Sequence, residues 1–157
     1  MTISNPSTRA LVNYRDSQHW FDTMSGERMT VRVDSRQVGG ALTVIEAAVP
    51  VGGGPPLHLH KDREETFEIL EGLFRFRCGT SEFEVGPGTT VVVPRGLVHG
   101  WANVGTSEAR ILFIFTPGGL EEFFPKIGTT PPDQWAALAE GRDTFIVGPP
   151  LITNVST

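Results

Sequence analysis

One cysteine is all this chain has, so no internal disulfide can form and packing alone must hold the fold together. That residue, Cys78, lies in the alternating run LFRFRC and reads as a small buried hydrophobe. Long apolar runs are missing. No stretch could span a bilayer, and the opening segment MTISNPSTRALVNYRD lacks a signal-peptide core. The expectation is a soluble, cytoplasmic protein with no membrane partner. Basic runs are missing too: Lys and Arg total 13 against 18 Asp and Glu, a net charge of −5. That balance, with no evident DNA-binding helix pair, removes nucleic acid from the expected partners. The acidity itself reads as ordinary solubility.

What the chain does have is turn chemistry. Glycine (18) and proline (12) are plentiful while hydrophobic residues make up 39%, a balance that suits many short strands joined by tight turns. At 157 residues the chain is long enough for one domain with a sizeable core. Only four histidines occur, yet three of them fall in two segments, GGGPPLHLHKDREETFEILEG and GTTVVVPRGLVHGWAN. His58 and His60 are two apart, so on a strand both imidazoles project to one face. His99 comes from the second segment. Three imidazoles and one carboxylate suit a divalent transition metal.

Parity selects the carboxylate. If residues 64–70 form a strand, Glu65 shares a face with Phe67 and Ile69, which belong in a core. Glu64 shares its face with the more polar Thr66 and Glu68. Glu65 is therefore the inward one and the expected fourth ligand.

These segments resemble the two cupin motifs. Gly52, His58, His60, Glu65 and Gly72 fall at the first motif's spacing, and Gly88, Pro94, Gly96, His99 and Asn103 at the second's. Leu73 to Pro87 between them has the length of the minimal cupin spacer. The flanks GGALTVIEAAVPVGGGPP and LFIFTPGGLEEFF resemble the single-domain, quercetin-dioxygenase-like cupins. The resemblance implies an all-β fold, the cupin double-stranded β-helix or jelly-roll barrel, here with short C-terminal helices. It also implies a bound metal held by His58, His60, Glu65 and His99, whether iron, manganese, nickel, copper or zinc.

Taken in order, residues 1–25 read as an N-terminal arm, 26–117 as the barrel, and 118–157 as a helical segment and tail packed on it. His19, with no ligand-spaced neighbour, reads as a surface or packing residue. Residues 29–33 and 41–49 read as strands around a Gly39-Gly40 turn. The second is apolar on both faces apart from Glu46, which either enters the cavity as a base or sits on the surface. The GGGPP loop has neither the helix nor the lysine of a phosphate cradle, so it reads as structural. Phe74, Phe76 and Cys78 face inward, followed by a hairpin in which Phe83 and Val85 also do. Residues 109–116 form the last strong strand, again apolar on both sides. GLEEFFPK and QWAALAE read as short helices, with Asp133 near the start of the second. Gly148-Pro149-Pro150 should end regular structure, leaving ITNVST as a loose tail. Strands covered on both faces lead us to expect a homodimer.

The expected partner is a small molecule. By parity Phe67, Phe74, Phe76, Trp101 and Phe113, with Glu46, are its candidate pocket; the aromatics are equally suited to a core. The resemblance points first to a dioxygenase like quercetin 2,3-dioxygenase, with Glu65 both ligand and proton acceptor. The alternatives are a non-oxidative isomerase, cyclase, decarboxylase or lyase on the same site, and a binding protein without turnover.

Overall fold

Alternating apolar side chains make half-buried strands, and the computed structural model, which describes residues 8–152, turns that alternation into eleven of them. One sheet runs β1 (Trp20–Asp22), β2 (Arg28–Val33), β3 (Thr43–Val49), β10 (Ala109–Thr116), β5 (Glu64–Glu71) and β8 (Thr90–Val93). The other runs β11 (Phe145–Pro150), β4 (Pro56–Leu59), β9 (His99–Asn103), β6 (Phe74–Cys78) and β7 (Ser81–Val85). Neighbouring strands are antiparallel throughout both sheets. Two short helices, α1 (Phe123–Gly128) and α2 (Trp135–Glu140), precede β11. The fold is the all-β double sheet expected of a jelly roll.

Inward side chains of the two sheets meet in an aromatic core. Phe67, Phe74, Phe76, Phe113 and Phe115 are essentially fully buried. On β10, Phe113 lies opposite both Ile45 of β3 and Phe67 of β5, and its ring is 5.6 Å from that of Phe67. The second sheet answers with Phe76, 5.1 Å from Phe67, and with Trp101, 5.5 Å from Phe113. These tilted and edge-on contacts are favourable beyond the area they bury. Phe83 stacks on Phe76 but lies on the outermost strand, where 36% of its surface remains exposed.

The Gly-rich loop is structural, and its tightest point is Gly54. A side chain there would place Cβ 2.0 Å from the Trp101 carbonyl oxygen, so only glycine fits. Asn103 at the end of β9 fastens the same region. Its side-chain amide donates to the carbonyls of Val49 (3.0 Å) and Ser107 (2.8 Å), and its Oδ1 accepts from the Gly105 amide.

The structure corrects several expectations. Trp20–Asp22, read as part of an arm, is an edge strand paired with β2. α1 begins only at Phe123, and the Glu121 carboxylate ahead of it accepts hydrogen bonds from Ser35 and Thr43. The Gly148-Pro149-Pro150 segment does not end regular structure but completes β11 on β4. Its prolines are tolerated because β11 is an edge strand, where the missing N–H groups have no partner to lose. Glu46 neither enters the cavity nor lies free on the surface. Ile45, Ala47 and Val49 take the core face of β3, which turns Glu46 to the other face. There it is 2% exposed beneath Arg32 (2.6 Å) and Arg110, both of which ion-pair with it. Residues 1–7 of the expected arm and 153–157 of the expected tail lie outside the described residues.

Replacing Gly54 with alanine should push the loop off β9 and destabilise the fold by about 1–3 kcal/mol, the usual penalty of overpacking. Urea unfolding measures it; an unchanged midpoint would mean the loop does not pack as described.

Candidate metal centre

His58, His60, Glu65 and His99 converge in the core, with donor atoms all within 4.8 Å of one another and all four residues buried. Strand geometry brings them there. β4 and β9 pair with His58 opposite His99, His60 follows one residue past the end of β4, and Glu65 occupies the inward face of β5. Glu64 points the other way and ion-pairs with Arg95 at 2.7 Å.

Backbone carbonyls orient all three rings. Nδ1 of His58 lies 2.8 Å from the Pro56 carbonyl oxygen, that of His60 2.9 Å from Asp143, and that of His99 2.9 Å from Leu97. A carbonyl only accepts, so each Nδ1 carries a proton and donates it. Each Nε2 is therefore left to face Glu65 Oε2, at 4.0, 3.2 and 2.8 Å respectively. Histidine ligands in metal sites are commonly held by this outer hydrogen bond. Asp143 is itself fixed: its carboxylate accepts from the Lys61 and Asp62 amides and pairs with Arg63.

The electrostatics reflect four ionisable groups sharing one buried space. Burial, then the neighbouring His99, push the His58 imidazole down to about 3, so it stays neutral. Burial alone would raise Glu65, but the His60 and His99 rings set against it outweigh burial and hold the carboxylate below its usual range. Burial opposes charge on His99, yet the hydrogen bond to Glu65 prevails and raises it. A preformed anion ringed by three imidazoles is the donor set that a divalent transition metal needs, so these residues fit such an ion. Cys78 is half-buried, and burial followed by the Glu65 charge pushes its thiol up, which disfavours the thiolate a metal would require. His19 is exposed and outside the cluster.

The cluster opens onto a cavity of ≈ 60 Å³. Of the expected pocket residues, Trp101 and Phe113 line it. Phe67, Phe74 and Phe76 do not. Phe67 backs His99 (6.1 Å) and Phe74 backs Trp101 (5.7 Å), one layer behind the wall, while Phe76 packs on Phe67. Much of the wall comes instead from outside the motifs. Phe123, Phe124 and Ile127 of α1, Ala139 of α2 and Ile146 of β11 close one side. Thr23, Met24, Glu27 and Met29 of the β1–β2 hairpin supply another part. Gly128 lets α1 settle on that hairpin, since a Cβ there would lie 2.4 Å from the Asp22 carbonyl oxygen.

Glu27 is the site residue that sequence reading missed. It is 1% exposed, and neither carboxylate oxygen has a hydrogen-bond partner. Burial pushes its carboxyl up from 4.5 to about 7, opposed only in part by the nearby backbone amides of Glu27 itself and Gly54. The available signal was parity, because Glu27 shares a face with the core residue Met29 two positions on.

The comparisons with known proteins agree with this geometry. The model of the cupin domain family matches residues 45–115. The uncharacterized protein MJ1618 of Methanocaldococcus jannaschii is 37% identical over 70 residues, covering 45% of this chain and 56% of that protein. Quercetin 2,3-dioxygenase of Bacillus subtilis is 27% identical over 93 residues, covering 59% of this chain and 27% of the enzyme. The chain thus spans little more than half the length of the first and about a quarter of the second. Among solved structures, KdgF from Halomonas sp. superposes with a TM-score of 0.63 at 16% identity, covering 69% of this chain and 94% of KdgF, a likeness of fold.

Two outcomes test this site. His99→Ala should weaken zinc binding at least about a hundredfold, at or beyond the top of the range for disturbing a ligand's support, while the fold persists. Equilibrium dialysis with circular dichroism checks this, and full occupancy in the variant would contradict the ligand assignment. The second concerns Glu27, whose raised folded-state pKa means that the native state binds this proton more tightly than the unfolded chain. The resulting stabilisation is complete below about 4.5 and is lost as pH climbs through about 7. Removing the carboxylate with Glu27→Gln should therefore shift relative stability in the variant's favour by about 3 kcal/mol between acid and mildly basic pH. A stability difference that does not change with pH would contradict the buried carboxyl.

Proposed function

Because the chain belongs to the cupin superfamily, we propose that it is a metal-dependent enzyme acting on a small, largely apolar molecule, most simply a dioxygenase resembling quercetin 2,3-dioxygenase. The observation that carries the reading is the joining of the His58, His60, Glu65 and His99 cluster to a cavity walled by Trp101, Phe113 and Phe124. A divalent transition metal held by the cluster would supply Lewis acidity, polarising a carbonyl or enol oxygen and lowering its pKa. The residues do the rest. Trp101 and Phe113 offer ring surfaces to a flat ligand, and the α1 aromatics keep water from the reacting atoms. Thr144 stands beside His60, 3.3 Å from its Nδ1, and helps fix that ring. Glu65 is committed to the His60 and His99 imidazoles, so any proton it accepts must compete with them.

A second reading, a non-oxidative isomerase, cyclase or decarboxylase on the same site, is favoured by Glu27. A buried carboxyl with a pKa near neutrality suits proton transfer without oxygen. Oxygen consumption separates the two. Protein loaded with iron or manganese and given a flavonol should take up O2 in proportion to substrate. Turnover of a carbonyl or enol substrate at an undiminished rate under argon would favour the second reading.

We also propose a homodimer. On the outer face of the first sheet Val44, Ile114, Thr66 and Val92 align in one cross-strand row, and Val92 is 63% exposed. Such a row favours pairing with a second copy. Light scattering should give twice the monomer mass, falling to the monomer in Ile114→Glu; a monomeric wild-type protein would refute the dimer.

A further inference from the structure

Glu27 is used by no part of the metal cluster, and its position is expensive. An unpaired buried carboxyl is unfavourable, and folding normally removes such groups or gives them partners. Here neither oxygen has one, and among the described residues the only other buried side-chain oxygen in that condition is Thr23 Oγ1. Both residues line the cavity that holds His58, His60 and Glu65. They come from the two ends of one turn, closed by a 2.9 Å hydrogen bond from the Thr23 amide to the Glu27 carbonyl. Between them Ser25 (φ 60°) and Gly26 (φ 79°) both take the left-handed conformation, unusual for serine, of the kind that clusters where function requires it. The hairpin thus holds two hydrogen-bonding groups against an apolar space, and no side chain pairs with either.

No Lys or Arg lines the cavity, and no charged side chain of α1 or α2 does. The titratable wall residues are Glu27 on the hairpin, His58 on β4, His60 just after it, and Glu65 on β5. No side chain of the wall pairs with Glu27, so beyond the nearby backbone amides of Glu27 itself and Gly54 the partner open to it is a group that enters the cavity.

We propose that Glu27 is a proton-accepting catalytic residue and, with Thr23, a second polar anchor for the substrate. This rests on the reading of the cavity as a substrate site. It identifies the substrate class as an apolar, flat molecule with an acidic hydroxyl or enol, which donates to Glu27, in addition to the oxygen that faces the cluster. In the proposed step the substrate O–H bond breaks, its electron pair stays on the substrate oxygen, and the proton passes to a Glu27 carboxylate oxygen. No oxidant or reductant is consumed, so the step serves either an oxidative or a non-oxidative reaction. Thr23 donates a hydrogen bond from its hydroxyl to the oxygen that has become negative. A carboxyl that titrates near 7 is suited to this exchange.

The test uses 3-hydroxyflavone, whose neutral and anionic forms have distinct absorption bands, bound to the zinc-loaded protein under argon so that nothing turns over. With zinc occupying the four-residue cluster, Glu27 is the titratable wall residue left free. The bound probe should convert to its anion as pH rises through about 7. In Glu27→Gln the anion-to-neutral ratio of the bound probe should fall about tenfold near neutral pH, the effect of one pKa unit. Zinc stoichiometry should be unchanged, and Glu27→Asp should restore part of the signal. The same anion fraction and pH midpoint in Glu27→Gln, or a probe that stays neutral in the wild-type protein, would overturn the proposal. Failure of the wild-type protein to hold zinc would count against the metal-site reading instead. Glu27 is then judged alone from the carboxyl 13C titration of the zinc-free protein, where an ordinary glutamate pKa overturns the proposal.

Discussion

Three backbone carbonyls decide what this protein can do. By accepting from Nδ1 of His58, His60 and His99, the carbonyls of Pro56, Asp143 and Leu97 turn every Nε2 toward one carboxylate oxygen. Two of these carbonyls lie two residues before the ring they hold, so the local chain supplies them. The third comes from Asp143, far along the chain, whose own carboxylate is tied to Lys61, Asp62 and Arg63. The orientation of His60 therefore depends on the C-terminal segment being docked. The motifs bring the donors together, and the segment after the barrel holds one of them in line.

The same dependence explains the cavity. A jelly roll gives its inner faces to a core, and here the aromatic rings of both sheets fill most of it. Space remains where α1, α2 and the β1–β2 hairpin meet the cluster. Under the proposed function, chemistry and recognition are divided between parts of the chain. Rigid strands carry the metal donors, while less regular segments outside the motifs supply the apolar walls and the unpaired Glu27.

Much of this was legible in the sequence, for reasons that also mark where legibility ended. The spacing of His58, His60 and His99 follows from strand periodicity, and parity alone separates the buried Glu65 from the exposed Glu64. Parity reports a face, however, and not a depth. Phe67, Phe74 and Phe76 face inward but stand behind His99 and Trp101, out of reach of the cavity. Glu46 looked able to enter because its strand is apolar on both sides, and only the pairing of β3 with β2 and β10 shows two arginines meeting it on the outer face. β11 was hidden by its prolines, which an edge strand accommodates. Glu27 was hidden by its position at a turn, one residue ahead of its strand, where nothing local says that a helix from the far end of the chain will cover it.

The measurement closest to the central claim is X-ray absorption at the metal edge of the protein as purified. Three imidazole nitrogens and one carboxylate oxygen from the protein, with no sulfur, is the predicted shell. Two or fewer imidazoles, or a sulfur scatterer from Cys78, would contradict it.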